Sequence, residues 1–161
     1  MKRTMFYVGF IVLLAGLICT ACGKKQESSD ALEGSLQDIM ASLYANADLS
    51  QDFKDALDGY ATVDITDDLE ISILGTDEIT YTEGVVSMPM MSSVAYQCVL
   101  LRVDEGDVEA AKQALQSNAD LDKWVCVSAE TMLIESRGDV IFFVMAGKDE
   151  AYALGNAFQN L

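Results

Sequence analysis

Two stretches of the chain, residues 94–103 and 140–146, carry apolar side chains at almost every position. Successive side chains of a β-strand point to opposite faces of the sheet, so a strand that is apolar on both faces is covered on both. These two stretches therefore predict strands in the middle of a sheet, and the rest of the fold has to be arranged around them.

The segments around these strands alternate between strand and helix patterns. Residues 79–87 and 124–134 are predicted as further strands, a connection follows at residues 88–93, and a turn follows at residues 137–139. Apolar residues recur at helical spacing in two stretches: Val108, Ala111, Leu115 and Ala119, and then Ala151, Leu154, Phe158 and Leu161. Two successive strand-strand-helix units predict an α+β domain, in which an antiparallel sheet of about four strands has helices packed on one face.

The chain before residue 79 predicts helices and then an ambiguous region. An apolar stripe at helical spacing predicts a helix over 32–47, and Ser50 is a candidate N-cap of a second, shorter helix. Between residues 62 and 76, apolar and polar residues alternate, which predicts short edge strands, while several acidic residues crowd the same region. We expect residues 32–161 to form a single domain, because a chain of this length can bury one core.

The first 21 residues have the parts of a secretory signal. Lys2 and Arg3 precede an apolar run over residues 5–18, and small residues lie just before Cys22. The alternative is a retained membrane helix, but crossing the bilayer takes about 20 apolar residues, and this run is shorter. We therefore expect export and cleavage after residue 21.

The residues around the predicted cleavage site resemble a bacterial lipobox, in which the cysteine after the cut receives diacylglycerol. Thr20, Ala21 and Gly23 fit that pattern, whereas Cys19 stands where Leu is usual. The resemblance implies that Cys22 is lipidated and holds the protein on the extracytoplasmic face of the membrane, since two acyl chains anchor stably. The polar residues 22–31 are then a tether, and the membrane is the expected partner of this end.

Charge and composition exclude several classes of function. Cleavage after residue 21 would remove Lys2 and Arg3 and no acid, so the formal net charge of −16 would become −18. Such a chain lacks the basic surface that binds nucleic acid, and its charge opposes self-association, so we expect a monomer. The chain contains no His, which removes the usual general base and nucleophile systems, and we expect neither an enzyme nor a cofactor.

Two cysteines remain in the predicted domain, Cys98 and Cys126. Outside the cytosol such a pair permits one disulfide. The two side chains must come within a narrow distance to bond, which the sequence does not show, and buried free thiols are the commoner outcome.

The most unusual cluster comprises Met88, Pro89, Met90 and Met91. An exposed Met-rich loop suits partner binding, thioethers also bind Cu(I), and Met fills gaps in cores. The acids within residues 64–70 are a second candidate metal site, but they lack the glycine and distal Glu of an EF-hand loop.

The second half of the chain resembles an uncharacterised family of small Gram-positive lipoproteins, known only as a domain of unknown function. The resemblance is carried by residues 83–86, 88–93, 123–127 and 137–139, together with the lipobox. It implies an extracytoplasmic lipoprotein and no particular chemistry. We expect a lipid-anchored, non-enzymatic binding or accessory module with an unknown protein or small-molecule partner. The alternatives are a metal-binding lipoprotein and a small surface hydrolase.

Overall fold

The computed structural model describes residues 31–91 and 93–161. The predicted signal, Cys22 and residues 22–30 of the predicted tether lie outside the described residues. None of the helices within the described ranges is long and apolar enough to cross a membrane.

Five α-helices, five strands and two short 3₁₀ helices, Leu57–Gly59 and Glu105–Asp107, make up the described chain. The helices are α1 (Leu36–Asn46), α2 (Gln51–Ala56), α3 (Glu70–Leu74), α4 (Val108–Asn118) and α5 (Lys148–Gln159). The strands are β1 (Tyr60–Asp64), β2 (Glu83–Pro89), β3 (Gln97–Arg102), β4 (Thr131–Arg137) and β5 (Val140–Ala146). All pair antiparallel in the order β1-β2-β3-β5-β4, so the α+β prediction is confirmed, with five strands rather than about four.

The two doubly apolar strands lie where their sequence indicates. β3 is the middle strand, and β5 lies between β3 and β4. Every residue of β5 is buried. The two-residue turn that joins β4 to β5 begins with Gly138 at φ 55, a conformation that suits a tight hairpin.

Helices cover both faces of the sheet, and the prediction of helices on one face is wrong. Phe142 of β5 packs with α1 and α5, whereas Phe143, the next residue, packs with α3 and α4. Because β3 and β5 are apolar on both faces, a single helical layer would leave one of those faces in water.

Two predicted strands have other structures. Ile71 and Ile73 belong to α3, and Leu69 is its N-cap. Ile73 and Leu74 are buried together while Ile71 is 64% exposed, which is a helical and not an alternating pattern. Gly75 ends this helix at φ 80. The predicted strand 124–134 begins only at Thr131, because Cys126 adopts a left-handed conformation at φ 69 that interrupts extended backbone.

Smaller differences concern the ends of elements. Ser50 caps α2 as predicted, with its hydroxyl accepting the Phe53 N–H at 3.2 Å. The predicted edge strand at residue 62 is β1. Met88 and Pro89 belong to β2 and not to a connection, so the loop begins at Met90.

Arg102 fastens the beginning of the described chain to one end of the sheet. Its guanidinium donates to the carbonyls of Leu32 at 3.2 Å and Gly34 at 2.8 Å, and to the Asp139 carboxylate at 3.0 Å. Glu83 lies 3.5 Å from the same guanidinium and also accepts the first N–H of α1. We call this the Arg102 end of the sheet; β3 carries the chain from Gln97, at the opposite end, to Arg102.

Candidate functional site

Lys123 lies at the end of the sheet opposite Arg102, in the loop between α4 and β4. Its Nζ donates to the Ser72 carbonyl of α3 and to Gln97 Oε1 of β3. Gln97 is buried, and its Nε2 donates in turn to the Ile73 carbonyl at 2.9 Å. The three groups form one polar chain that joins the loop, α3 and the sheet.

Lys123 differs from the paired cations of the protein in having only neutral acceptors. Lys112 lies 3.1 Å from the Glu109 carboxylate and Arg102 lies 3.0 Å from that of Asp139. Within the described ranges, no carboxylate comes within 4.0 Å of Lys123 Nζ. Burial lowers the pKa of Lys123 from 10.5 to about 8, and the charge of Asp120 opposes that shift. The ammonium form still predominates at pH 7.

Two cavities border this lysine. One, of about 380 Å³, is also lined by Ile71, Asp120 and Trp124. The other, of about 190 Å³, is lined by Trp124 together with Met88 and Pro89 of β2. Lys123 Nζ lies 5.3 Å from the centre of the Trp124 ring, within range of a cation–π interaction.

Exposed apolar side chains are concentrated around the same two cavities. Six large apolar residues of the described chain are exposed, and all but Tyr152 either line one of these cavities or lie within two residues of a lining residue: Ile71, Met90, Met91, Val94 and Val125. We call these five residues, together with Lys123, Trp124 and Gln97, the Lys123 surface. Concentrated exposed apolar groups with a polar centre are typical of interaction sites.

The predicted Met-rich loop is part of this surface, although its four residues have different environments. Met88 packs against the core on the α3–α4 face, and Pro89 pairs with Tyr60 across the β1–β2 ladder. Met90 and Met91 are 69% and 75% exposed. Sequence reasoning missed Lys123 and Gln97, although Gln97 stands in an apolar strand and a buried amide needs polar partners.

The acidic residues of the second candidate metal site point to different partners. Asp64 accepts from Gln37 at 2.8 Å, Asp68 accepts from Thr66 at 2.6 Å, and Glu70 accepts from the Tyr81 hydroxyl at 2.7 Å. In residues 31–91 and 93–161, no group of three or more His, Cys, Asp or Glu side chains could hold a metal ion. The structure therefore does not assemble these acids into a site.

The two cysteines of the domain are both free thiols. Cys98 is buried in β3, and burial raises the pKa of its thiol, which keeps it protonated. Cys126 is exposed in the loop before β4. A buried thiol with a raised pKa is a poor nucleophile, so Cys98 contributes to packing.

A larger cavity, of about 910 Å³, lies between α1 and α5. Its lining includes Asp38, Asp48, Asn156 and Asn160, and Arg137 is its one basic residue. The amide of Asn160 is already bonded to its own helix at 2.6 Å. This cavity is polar and acidic, and it lacks the aromatic and exposed apolar groups of the Lys123 surface.

Trp124 is partly buried in a loop, whereas the sequence predicts a substantially buried residue at the start of a strand. We therefore expect Trp124→Ala to lower the free energy of unfolding by about 2 kcal/mol, below the 3–5 kcal/mol typical of a fully buried aromatic residue. Trp124 is the only tryptophan, so the variant has no tryptophan fluorescence to report unfolding. Urea unfolding of the variant and of the unsubstituted protein should therefore be followed by far-ultraviolet circular dichroism. A loss above about 4 kcal/mol would contradict the partly buried placement.

Comparisons with protein-family models, curated proteins and solved structures found no match to this chain. No relative therefore supplies a function for the Lys123 surface, and the resemblance to an uncharacterised lipoprotein family stays a prediction.

Proposed function

We propose that this chain is a lipid-anchored extracytoplasmic protein that acts as a non-enzymatic binding module, with its ligand site at the Lys123 surface. The observation that carries the proposal is a partly buried ammonium group held by neutral acceptors alone, between two cavities and among exposed apolar side chains. Isolated exposed apolar residues are ordinary, but a concentration of them around a charged centre suits recognition.

The position of this surface suits a protein held by its N-terminal end. The described chain begins beside the β4–β5 turn, where a Cβ on Gly138 would lie 2.8 Å from the Cα of Ala31. Ala31 thus belongs to the Arg102 end, and the Lys123 surface lies at the opposite end, about 17 Å along β3. Eight residues lie between Cys22 and Ala31, so the chain can span at most about 32 Å between them.

This arrangement supports a particular orientation at the membrane. A chain anchored at Cys22 would be attached through its Arg102 end, and we propose that its Lys123 surface faces away from the lipid. The ligand would then come from the extracytoplasmic space and not from the bilayer that holds the anchor.

The surroundings of Lys123 favour binding over catalysis. Its hydrogen-bond partners are an amide and a backbone carbonyl, neither of which can act as a general acid or base near neutral pH. With no His in the chain and with the Cys98 thiol held protonated by burial, we propose that the groups lining the two cavities act in recognition: one cation, the carboxylate of Asp120, one aromatic ring and apolar side chains.

Fragment mapping by nuclear magnetic resonance tests this proposal. The protein should be the mature chain, residues 22–161, carrying Cys22→Ser so that no lipid is attached. We expect weakly binding fragments to shift the Trp124 indole N–H and the Gln97 side-chain amide. The proposal would be contradicted if the fragments shifted only resonances of residues around the α1–α5 cavity, or if different fragments shifted resonances at unrelated places on the protein.

A variant of the surface provides the control for that mapping. Val125 is 78% exposed, so Val125→Ser should remove apolar contact without loss of stability. It should weaken the fragments that shift Trp124, whereas Tyr152→Ser, an exposed change on α5, should leave them unaffected.

A further inference from the structure

We infer that the Lys123 surface binds a monocarboxylate that carries an apolar group, with the carboxylate pairing with Lys123 Nζ and the apolar group lying along Trp124. This inference rests on the proposed function and names its class of ligand. It follows from the hydrogen bonds, the charges and the cavity linings around Lys123.

The ammonium group has capacity for an anion. A lysine ammonium has three N–H donors, and the described chain gives this one two acceptors, the Ser72 carbonyl and Gln97 Oε1. Both acceptors are neutral, so the positive charge is not compensated by an ion pair like that of Lys112 with Glu109. A carboxylate would supply the missing charge through a charge-assisted hydrogen bond, which is stronger than one between neutral groups.

The charges around the site favour a single negative charge on the ligand. Lys123 is the one cation in the linings of the two cavities, and Asp120 lines the larger of them. The chain has a formal net charge of −16, which repels polyanions from its surface. A phosphate dianion or an acidic polymer would meet this repulsion with only one cation to bind it.

The rest of the lining favours an apolar group next to the carboxylate. Trp124 borders both cavities, with Ile71 on one side and Met88 and Pro89 on the other. The larger of the two cavities beside Lys123, of about 380 Å³, has the size of a small-ligand site. A C-terminal peptide residue and a short free carboxylic acid share this chemistry.

The test compares each carboxylate with its uncharged amide on the mature Cys22→Ser chain. One pair of probes is N-acetyl-alanyl-leucine and its C-terminal amide; the other is hexanoate and hexanamide. Shifts of the Trp124 indole N–H report binding at this surface, and the Lys123 Nζ resonance reports the ion pair. We expect each carboxylate to bind about tenfold tighter than its amide. Tighter binding of the dipeptide than of hexanoate identifies a peptide C-terminus as the source, and the reverse order identifies a free acid.

Two lysine variants separate charge from packing. Lys123→Met removes the ammonium while keeping an unbranched apolar stem, and it should abolish the preference for carboxylate over amide. Lys112→Met, on the same face but paired with Glu109, should keep that preference. Because Lys123→Met leaves Gln97 Oε1 without a donor and so removes stability as well as charge, the pH profile of the unsubstituted protein provides an independent measurement.

The pH profile follows from the groups that face Lys123. Asp120 is the titratable group whose charge acts on Lys123. The other elements around Lys123 present neutral groups: the Ser72 carbonyl of α3, the Gln97 amide of β3 and Met145 of β5. Since the ammonium loses its proton above a pKa of about 8, carboxylate affinity should fall about tenfold between pH 7 and pH 9.5. Amide affinity should not change.

The inference and the proposed function fail in different ways. Equal affinity of carboxylate and amide at Trp124, or no change with pH, would overturn the inference and leave the proposed function standing. Shifts confined to the α1–α5 cavity would overturn both.

Discussion

Replacing Gly75 with alanine should lower the free energy of unfolding by about 3 kcal/mol or more. Gly75 ends α3 at φ 80, a conformation that strains residues with a Cβ. A Cβ there would also overlap the carbonyl oxygen of Asn118, at the end of α4, and would lie 2.8 Å from its carbonyl carbon. Backbone cannot move aside as a flexible side chain does, so α3 and α4 would have to separate.

Gly106→Ala is the matched control for this prediction. Gly106 lies in a short 3₁₀ turn after β3, its φ is not positive, and a Cβ added there would have no other atom within 4 Å. Chemical denaturation of both variants should show a large loss for Gly75→Ala and little change for Gly106→Ala. Because Ser72 of α3 accepts from Lys123, Gly75→Ala should also change the Trp124 fluorescence. Equal midpoints for the two variants would contradict the close packing of α3 on α4.

Cys22→Ser should block the proposed attachment of lipid. Without the thiol there is no acceptor for diacylglycerol, so the protein should move from the membrane fraction to uncleaved precursor or to the medium. The two proposed acyl chains would hold the mature protein stably on a bilayer, and a cleaved chain without them would keep only the weak attraction of Lys24 and Lys25 to anionic lipid.

Cys19→Ser is the control, because Cys19 lies before the predicted cut and would leave with the signal. That variant should stay on the membrane. Mass spectrometry of the mature N-terminal peptide should find acyl groups on Cys22, and an unmodified thiol there would overturn the anchor.

Local patterns were sufficient to predict much of the fold. The double apolar character of β5 and the helical stripe of α4 gave their limits almost to the residue. The β4–β5 turn was readable because a glycine stands between the two apolar runs. In each case the sequence pattern that predicts the element lies within about a dozen residues, and the apolar residues of β5 and of the stripe within α4 are buried in the structure.

Other features depend on contacts that a local pattern does not show. The left-handed conformation of Cys126 interrupts the predicted strand near its start, and no glycine at this position indicates it. Alternation at Leu69–Ile73 resembles a strand, yet packing against α4 selects a helix that ends at Gly75. Helices on both faces were missed, although the two doubly apolar strands already required them.

The candidate site was predictable only in part. The Met-rich cluster drew attention to residues 88–91, and two of its members are exposed at the edge of the Lys123 surface. The contact of Lys123 with Gln97 joins residues 26 positions apart, and its other contact, with Ser72, spans 51 positions. No spacing rule predicts such pairs, but a glutamine within a buried strand was a signal that a polar partner had to come from elsewhere.

Site-specific photocrosslinking on intact cells tests the central claim most directly. A photoreactive residue at Val125, on the Lys123 surface, is compared with one at Glu105, which is exposed beyond the Arg102 end of β3. On cells that carry the full-length protein, the photoreactive residue at position 125 should give discrete adducts with a non-lipid ligand. Addition of N-acetyl-alanyl-leucine or hexanoate, whichever binds more tightly, should reduce these adducts. Glu105 should not give these adducts. Identical adducts from both positions, or lipid adducts from Val125, would contradict a binding surface that faces away from the membrane.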